Sequence, residues 1–407
     1  WLLDEKKAFI LLAELKESMM NAEATVRKRF TPMPVWVEKN YPKNPLKKDG
    51  TEAAIMGKHR EQGFHHNSQG SYGVFEYPIF NLGSRQQIGR YLIHFGWKPT
   101  EFTETGIPKI DEKVLENVDI PEAVMIKEFL LLQKRVGMVL SWVESVADDG
   151  RVHGYVNAIG AQTNRMTHSS PNVAQVPASY SPYGRECREC WIVPKGYKLV
   201  GCDASGLELR MLAHYMNDAE YTNQIIDGDI HSYNQEMAGL PSRDQAKTMI
   251  YALCYGAGDV KMGTIINGSA SEGKKLKATL FNNIPSLADL ITKIKKASNR
   301  GYLKGLDGRK IWVRSEHSAP NFLLQSAGAI VMKKALVLLY NRAKEEKLDF
   351  TFVGNIHDEY QTQVLEAHSE RFGVLAVEAI INAGVALNMN CPLDGESKIG
   401  NNWYECH

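Results

Sequence analysis

Two acids at the ends of short apolar strands, far apart in the chain, restrict this sequence more than any other feature. Lys198–Asp203 reads as a short strand that closes on Asp203. Phe350–Ile356 and Glu359–Val364 read as a strand pair, with His357-Asp358 in the tight turn between them. Between these strands lie helical patterns, at Leu207–Met216 and over most of 220–300. The pattern predicts an α+β fold whose small sheet carries acids at its strand ends.

The rest of the chain fits around that sheet. A length of 407 residues predicts two to three domains. With 43% hydrophobic and 23% charged residues, the composition excludes a disordered or collagen-like chain. Residues 1–30 read as an amphipathic helix, and helical pattern returns at Gly83–Phe95 and Pro121–Val146. Residues 31–80 read as an irregular insertion, rich in Pro and Gly and mixed in charge. Its histidines, His59, His65 and His66, read as solvated loop residues. Gly154–Pro177 is turn-rich and polar.

The most apolar stretch, Phe322–Tyr340, is broken by Lys333 and Lys334, so no membrane span is expected. The sequence starts at Trp1 rather than Met, with Asp4, Glu5, Lys6 and Lys7 close behind, which is no signal peptide and suggests a fragment. Six irregularly spaced cysteines predict reduced thiols rather than a disulfide framework or a zinc site. The net charge of +1 argues against a nucleic-acid binder. Local charge argues the other way: from Lys293 to Arg314 there are eight cations (Lys293, Lys295, Lys296, Arg300, Lys304, Arg309, Lys310, Arg314) against Asp307 alone. Such a stretch would track phosphates.

Asp203 and Asp358, on adjacent strand ends, could together hold two divalent cations about 3.5–4 Å apart. Their hard oxygens suit Mg²⁺. Acids at strand ends are also common in proteins without metals. Arg243, Lys247, Tyr251 and Tyr255 recur every four residues and would share one helix face. That face offers cations for a triphosphate and a ring for its base, or equally a salt-bridged helix with core tyrosines.

Taken together these stretches resemble DNA polymerase family A. Asp203-Ala204-Ser205-Gly206-Leu207-Glu208-Leu209-Arg210 is similar to the family's first catalytic motif. Arg243-x3-Lys247-x3-Tyr251-x3-Tyr255-Gly256 is similar to the nucleotide-binding fingers helix, and His357-Asp358-Glu359 to the third motif. Gly228–His231, Tyr255–Asp259, Gly305–Lys310, Leu324–Ala329 and the chain end from Asn402-Trp403 to Cys406-His407 narrow the resemblance to the replicative polymerases of T-seven-like short-tailed phages.

The resemblance implies a right-hand fold: thumb over 1–150, palm over 151–222 and 318–407, and fingers over 223–317. It implies two Mg²⁺ ions, with Mn²⁺ able to substitute, held by Asp203, Asp358 and the Ala204 carbonyl, with Glu359 in support. His231, Arg243 and Lys247 would contact the triphosphate, and Lys247 would protonate the leaving pyrophosphate. Tyr251 would lie near sugar and base, and Tyr255 at the template base. Glu208 would crowd the ribose 2′ position and bond to the Tyr251 hydroxyl. Tyrosine rather than phenylalanine at 251 implies tolerance of dideoxynucleotides. Arg165, Asn172 and Gln175 would touch the minor groove, Gln325 and His357 the primer terminus, and Arg188 the triphosphate or template. The family's usual glycine before Arg165 is here Asn164, the substitute that best tolerates positive φ.

The implied partners are primer–template DNA and dNTP, with a thioredoxin-like processivity factor at 31–80 and a replicative helicase–primase further candidates. The implied location is the cytoplasm of an infected bacterium. No exonuclease acid cluster is evident, so this stretch is expected not to proofread. The alternatives are an organellar or bacterial repair polymerase of the same family, a single-subunit RNA polymerase, which Glu208 opposes, and a DNA-binding protein that has lost catalysis.

Overall fold

The computed structural model describes Trp1–Cys406, apart from the side chains of Glu112 and Lys113; His407, the last residue of the chain-end resemblance, lies outside it. The chain forms two compact units, one of Ile10–Met138 and one of Trp1–Phe9 with the chain from Val139 onward.

In the larger unit the acid-bearing strands pair as their sequence suggests. The sheet is antiparallel, in the order Phe350–Ile356, Glu359–Leu365, Tyr197–Ala204, Gly395–Gly400. Glu359 stands directly opposite Asp203, so the two acid-bearing segments meet at one end of the sheet. The fourth strand, Gly395–Gly400, has no apolar alternation to announce it. It closes on its neighbour because Gly395 is small: a Cβ there would come within 3.0 Å of the Asp203 carbonyl.

Helices Ala319–Glu345 and Ser369–Ala386 pack on each other, and the second lies against the sheet. Tyr360, Val364 and Phe372 are at most 1% exposed in the core between them. Burying an apolar side chain of this size contributes about 1.5–3 kcal/mol. By length and composition the stretch Glu316–Glu345, which includes the first of these helices, could cross a membrane. Here its apolar residues, among them Leu323, Ala327, Val331 and Leu339, line the core of the unit. Among the described residues no disulfide joins the six cysteines, all of which are buried.

The smaller unit has its own core around Phe30, Phe80, Tyr91 and Ile126. Residues 31–80, expected to be irregular, contain helix Ala54–Glu61 and a three-stranded antiparallel sheet of Val35–Glu38, Tyr72–Glu76 and His65–His66. Aromatic contacts rather than an apolar period hold it: Trp36 meets Phe75 and His65, and Tyr41 meets Tyr72. Gly73 is required, since a Cβ there would lie 2.3 Å from the Val37 carbonyl. His59 Nδ1 is 3.0 Å from the Tyr72 hydroxyl, so this histidine is not simply solvated.

Candidate active site

The two acids reach one place by different routes. Asp203 is the penultimate residue of strand Tyr197–Ala204 and is exposed. Asp358 closes a two-residue turn whose first residue, His357, has φ +62°, the left-handed conformation such hairpins need. The Ala204 amide donates to the Asp358 carbonyl at 3.0 Å, which ties the two motifs together. Burial pushes the Asp358 carboxyl above its ordinary range; Glu359 and Glu208 add to this and Arg165 opposes it. An acid in that position is stabilised as an anion by a nearby cation.

Glu359 faces inward. It is buried and accepts from Trp403 Nε1 at 2.6 Å and from Gln361 Nε2 at 2.5 Å. Those bonds fix the base of the turn.

Helix Leu207–Met216 starts directly after the acid strand, through Gly206 at φ +57°. This brings Glu208, in its first turn, beside the acids. The bond expected between Glu208 and Tyr251 is made by Tyr255 instead: the Tyr255 hydroxyl donates to the two Glu208 oxygens at 3.0 and 3.1 Å. Tyr255 can do so because it caps helix Arg243–Cys254 rather than lying within it, which leaves the residue 49% exposed. Burial first, then Glu208, pushes its hydroxyl up to about 12. The following Gly256 has φ +76° and lies so close to the His317 carbonyl that no side chain fits. Arg165 Nη2 is 3.4 Å from Glu208. Asn164, before it, has φ +60°, donates to Ser326 Oγ at 3.3 Å, and accepts from Lys333 Nζ at 2.6 Å.

These residues line a single cleft of about 360 Å³: Arg165, Asp203, Ala204, Glu208, Tyr251, Tyr255, His357 and Asp358. Among the described residues no cluster of three or more His, Cys, Asp or Glu forms a metal cage. The donor set is two carboxylates and a carbonyl, which fits a cation that keeps positions for water and substrate, as Mg²⁺ does.

Other expected residues lie outside the cleft lining. Lys247 is exposed on helix Arg243–Cys254. Arg243, near its N-terminus, is held by Asp229 through Nε at 2.6 Å and Nη2 at 3.0 Å. Asp229 also caps helix Ile230–Ala238 by accepting from the His231 amide at 3.1 Å. The His231 ring lies 6.1 Å from that of Tyr251. Burial, then Arg243 and Lys247, keep His231 below its usual range. Asn172 and Gln175 flank and end the turn Val173–Gln175, and Gln325 is half-buried in Ala319–Glu345.

Arg188, expected near the triphosphate or template, is buried. It is 5% exposed, donates from Nε to the Pro177 carbonyl at 2.9 Å, and sits 4.5 Å over the Trp403 ring. Its contacts are interior ones. Trp403, which joins Arg188 to Glu359, and Asp229, which holds Arg243, stand in stretches that carried the resemblance, but the sequence reading gave neither a role. Asp229 carried a signal, an acid one residue before a helix start.

The model of DNA polymerase family A matches residues 54–405. The chain is 40% identical over 409 residues to a DNA-directed DNA polymerase of Enterobacteria phage T3, and 39% identical over 412 residues to that of Escherichia phage T7. In both cases the match covers 90% of this chain and 57% of the relative. The thermostable DNA polymerase I of Thermus aquaticus is 27% identical, with 80% of this chain and 42% of that protein covered. The chain thus spans little more than half the length of the phage relatives. The polymerase domain of Pol1 from M. smegmatis, solved with DNA primer-template and dNTP, shares the fold: TM-score 0.80, 21% identity, 100% of this chain and 67% of that one.

Proposed function

Since the chain belongs to DNA polymerase family A, we propose that it is the polymerase portion of a template-directed DNA polymerase that copies a phage genome. The observation that carries this is the cleft in which Asp203, Asp358, Glu208, Tyr251, Tyr255 and Arg165 converge. In this reading 1–150 serve as thumb, 151–222 and 318–407 as palm, and 223–317 as fingers.

Asp203, Asp358 and the Ala204 carbonyl would hold two Mg²⁺, or Mn²⁺. Such ions supply a lowered pKa at the primer 3′-hydroxyl and charge compensation at the leaving pyrophosphate. Arg243, Lys247 and His231 bind the triphosphate, and Lys247 Nζ gives a proton to the departing pyrophosphate. A neutral His231 accepts or donates one hydrogen bond without adding charge. Tyr251 supports the sugar and base. Glu208 excludes a ribose 2′-hydroxyl by occupying its space. Tyr255, resting on Glu208 without substrate, must leave that bond for the nascent pair to form. Arg165, Asn172 and Gln175 contact minor-groove acceptors that all base pairs share. Gln325 and His357 approach the primer terminus. Positioning and charge neutralisation account for most of phosphoryl-transfer catalysis.

The partners are primer–template DNA and dNTP, and the place of action is the infected bacterial cell. A processivity factor at 31–80 and a helicase–primase are further partners consistent with a replicative role. Primer extension with dNTP and rNTP in competition tests the reading. Template-dependent use of dNTP is the expected result; equal use of rNTP would overturn it.

A further inference from the structure

A second hairpin, Tyr302–Lys304 with Lys310–Trp312, has two unlike faces. Leu303 and Ile311 stand opposite each other and are 2% and 1% exposed. On the other face Tyr302 stands opposite Trp312, and Lys304 opposite Lys310. Trp312 is 61% exposed. Its ring meets Tyr302 edge-on at 5.7 Å. Lys310 Nζ lies 4.8 Å from the Tyr302 ring centre and 6.0 Å from that of Trp312, and the Arg300 guanidinium lies 5.8 Å from Tyr302.

The ring and cation–π contacts account for part of this face, but not for two lysines set opposite each other. Like charges directly opposite on paired strands repel. The acids nearby are engaged elsewhere: Asp307 with Arg309 and Glu316 with Lys295. Among the described residues neither Lys304 nor Lys310 has an ion-pair partner. Cations without an acid beside the exposed Trp312 ring suit a ligand with anionic groups and flat faces. A nucleic-acid strand has both. Duplex phosphates would satisfy the lysines, but paired bases offer no face to stack; an unpaired strand does.

The hairpin adjoins the loop that carries Arg165. Arg314, just beyond it, has Nε and Nη2 3.0 and 3.3 Å from the end of the Gln162 side-chain amide, which accepts from both when its oxygen is the atom turned toward them. Asp307 and Arg309, in its turn, act electrostatically on Lys333, which holds the Asn164 carbonyl at 2.6 Å. We propose that the Tyr302–Trp312 face binds the unpaired stretch of the template strand, bases on the rings and phosphates on Lys304, Lys310 and Arg300. This rests on the polymerase reading of the neighbouring cleft.

Binding of the whole chain to two DNAs of one sequence tests it: a primer–template with an unpaired 5′ overhang of about ten nucleotides, and the blunt duplex. Trp312→Ala is expected to weaken overhang binding about tenfold and blunt-duplex binding little, since one base stack is lost. Trp312→Phe should restore most of the loss. Equal loss on both DNAs, or none on either, would overturn the proposal. Extension by the unaltered chain separates the two readings. If it extends primers while Trp312→Ala binds normally, only the template platform falls. If it does not extend, yet binds the overhang through Trp312, the platform stands and the polymerase reading falls.

Discussion

Two antiparallel hairpins in the larger unit solve opposite electrostatic problems. The Phe350–Ile356/Glu359–Leu365 hairpin belongs to the central sheet and turns on Asp358, partly buried beside Glu359 and near Glu208. The Tyr302–Lys304/Lys310–Trp312 hairpin is anchored by Leu303 and Ile311 and presents lysines and rings to solvent. Each concentrates charge of one sign, Asp358 and Glu359 on the first and Lys304 and Lys310 on the second. The buried one suits compact cations, because low dielectric strengthens their attraction. The exposed one suits an extended polyanion, whose many weak contacts survive screening only in sum. On the two proposals above, concentrated charge of one sign meets a ligand in both places, and burial separates the kind of ligand.

The largest expected effect tests the acidic side. Asp358→Asn should lower primer extension by at least about a hundredfold, the usual scale for losing one preorganised charge at a transition state. It should leave DNA affinity near that of the unaltered chain. Thermal unfolding should shift upward or stay unchanged, because the amide removes a buried charge set against Glu359 and Glu208. A large fall in stability would show that the fold, not a ligand, needs that charge.

Glu208→Ala comes next. It should raise rNTP incorporation relative to dNTP by about tenfold or more, the lower end of what a pocket gains by rejecting one small extra group, about 10–200-fold. It should also release Tyr255, whose hydroxyl would titrate lower than its present value of about 12. Tyrosine absorbance against pH, compared with Tyr255→Phe, reads that change. An unmoved titration would separate the gate from the bond.

Much of the acidic hairpin was legible because burial on a sheet forces apolar residues into runs. Phe350–Ile356 and Leu207–Met216 match their expected spans, and the other two strands are each slightly longer. Gly395–Gly400 was not legible, since a strand closed by small residues and polar ones leaves no period. The sheet within 31–80 was hidden for a related reason: its strands are two to five residues long and its stability lies in cross-strand rings. The burial of Arg188 was not legible because a motif records residue type and not burial; a guanidinium can be held inside by one carbonyl and one indole face. The Tyr255–Glu208 bond depends on where a helix ends, the detail that sequence fixes least.

On the basic side the loop beneath the hairpin gives a smaller effect. Asn164 holds φ +60°, where a β-carbon costs about 1–2 kcal/mol and asparagine is favoured. Asn164→Gly should therefore keep stability within about 1 kcal/mol of the unaltered chain, while Asn164→Val should fall further and loosen Arg165. Denaturant midpoints of the two variants, with DNA affinity, test whether loop geometry carries the binding.

The smallest effect concerns a cation that, unlike Lys304 and Lys310, does have an acid. Arg243 is held by Asp229, whose carboxyl this contact keeps well below the ordinary range. A depressed folded pKa means that the contribution is present above the unfolded value near 4 and is lost as pH falls through the folded one. Asp229→Asn keeps a capping side chain but removes the charge. The melting temperature of the unaltered chain should exceed that of Asp229→Asn slightly at pH 6, and the gap should close as pH falls below about 4. Because both groups are exposed, the gap should also shrink in high salt. Freed from its carboxylate, Arg243 should bind triphosphate somewhat more tightly at pH 7. If it does not, Asp229 orients the guanidinium for the nucleotide rather than competing with it. The contrast with the open lysines would then lie in positioning and not in charge.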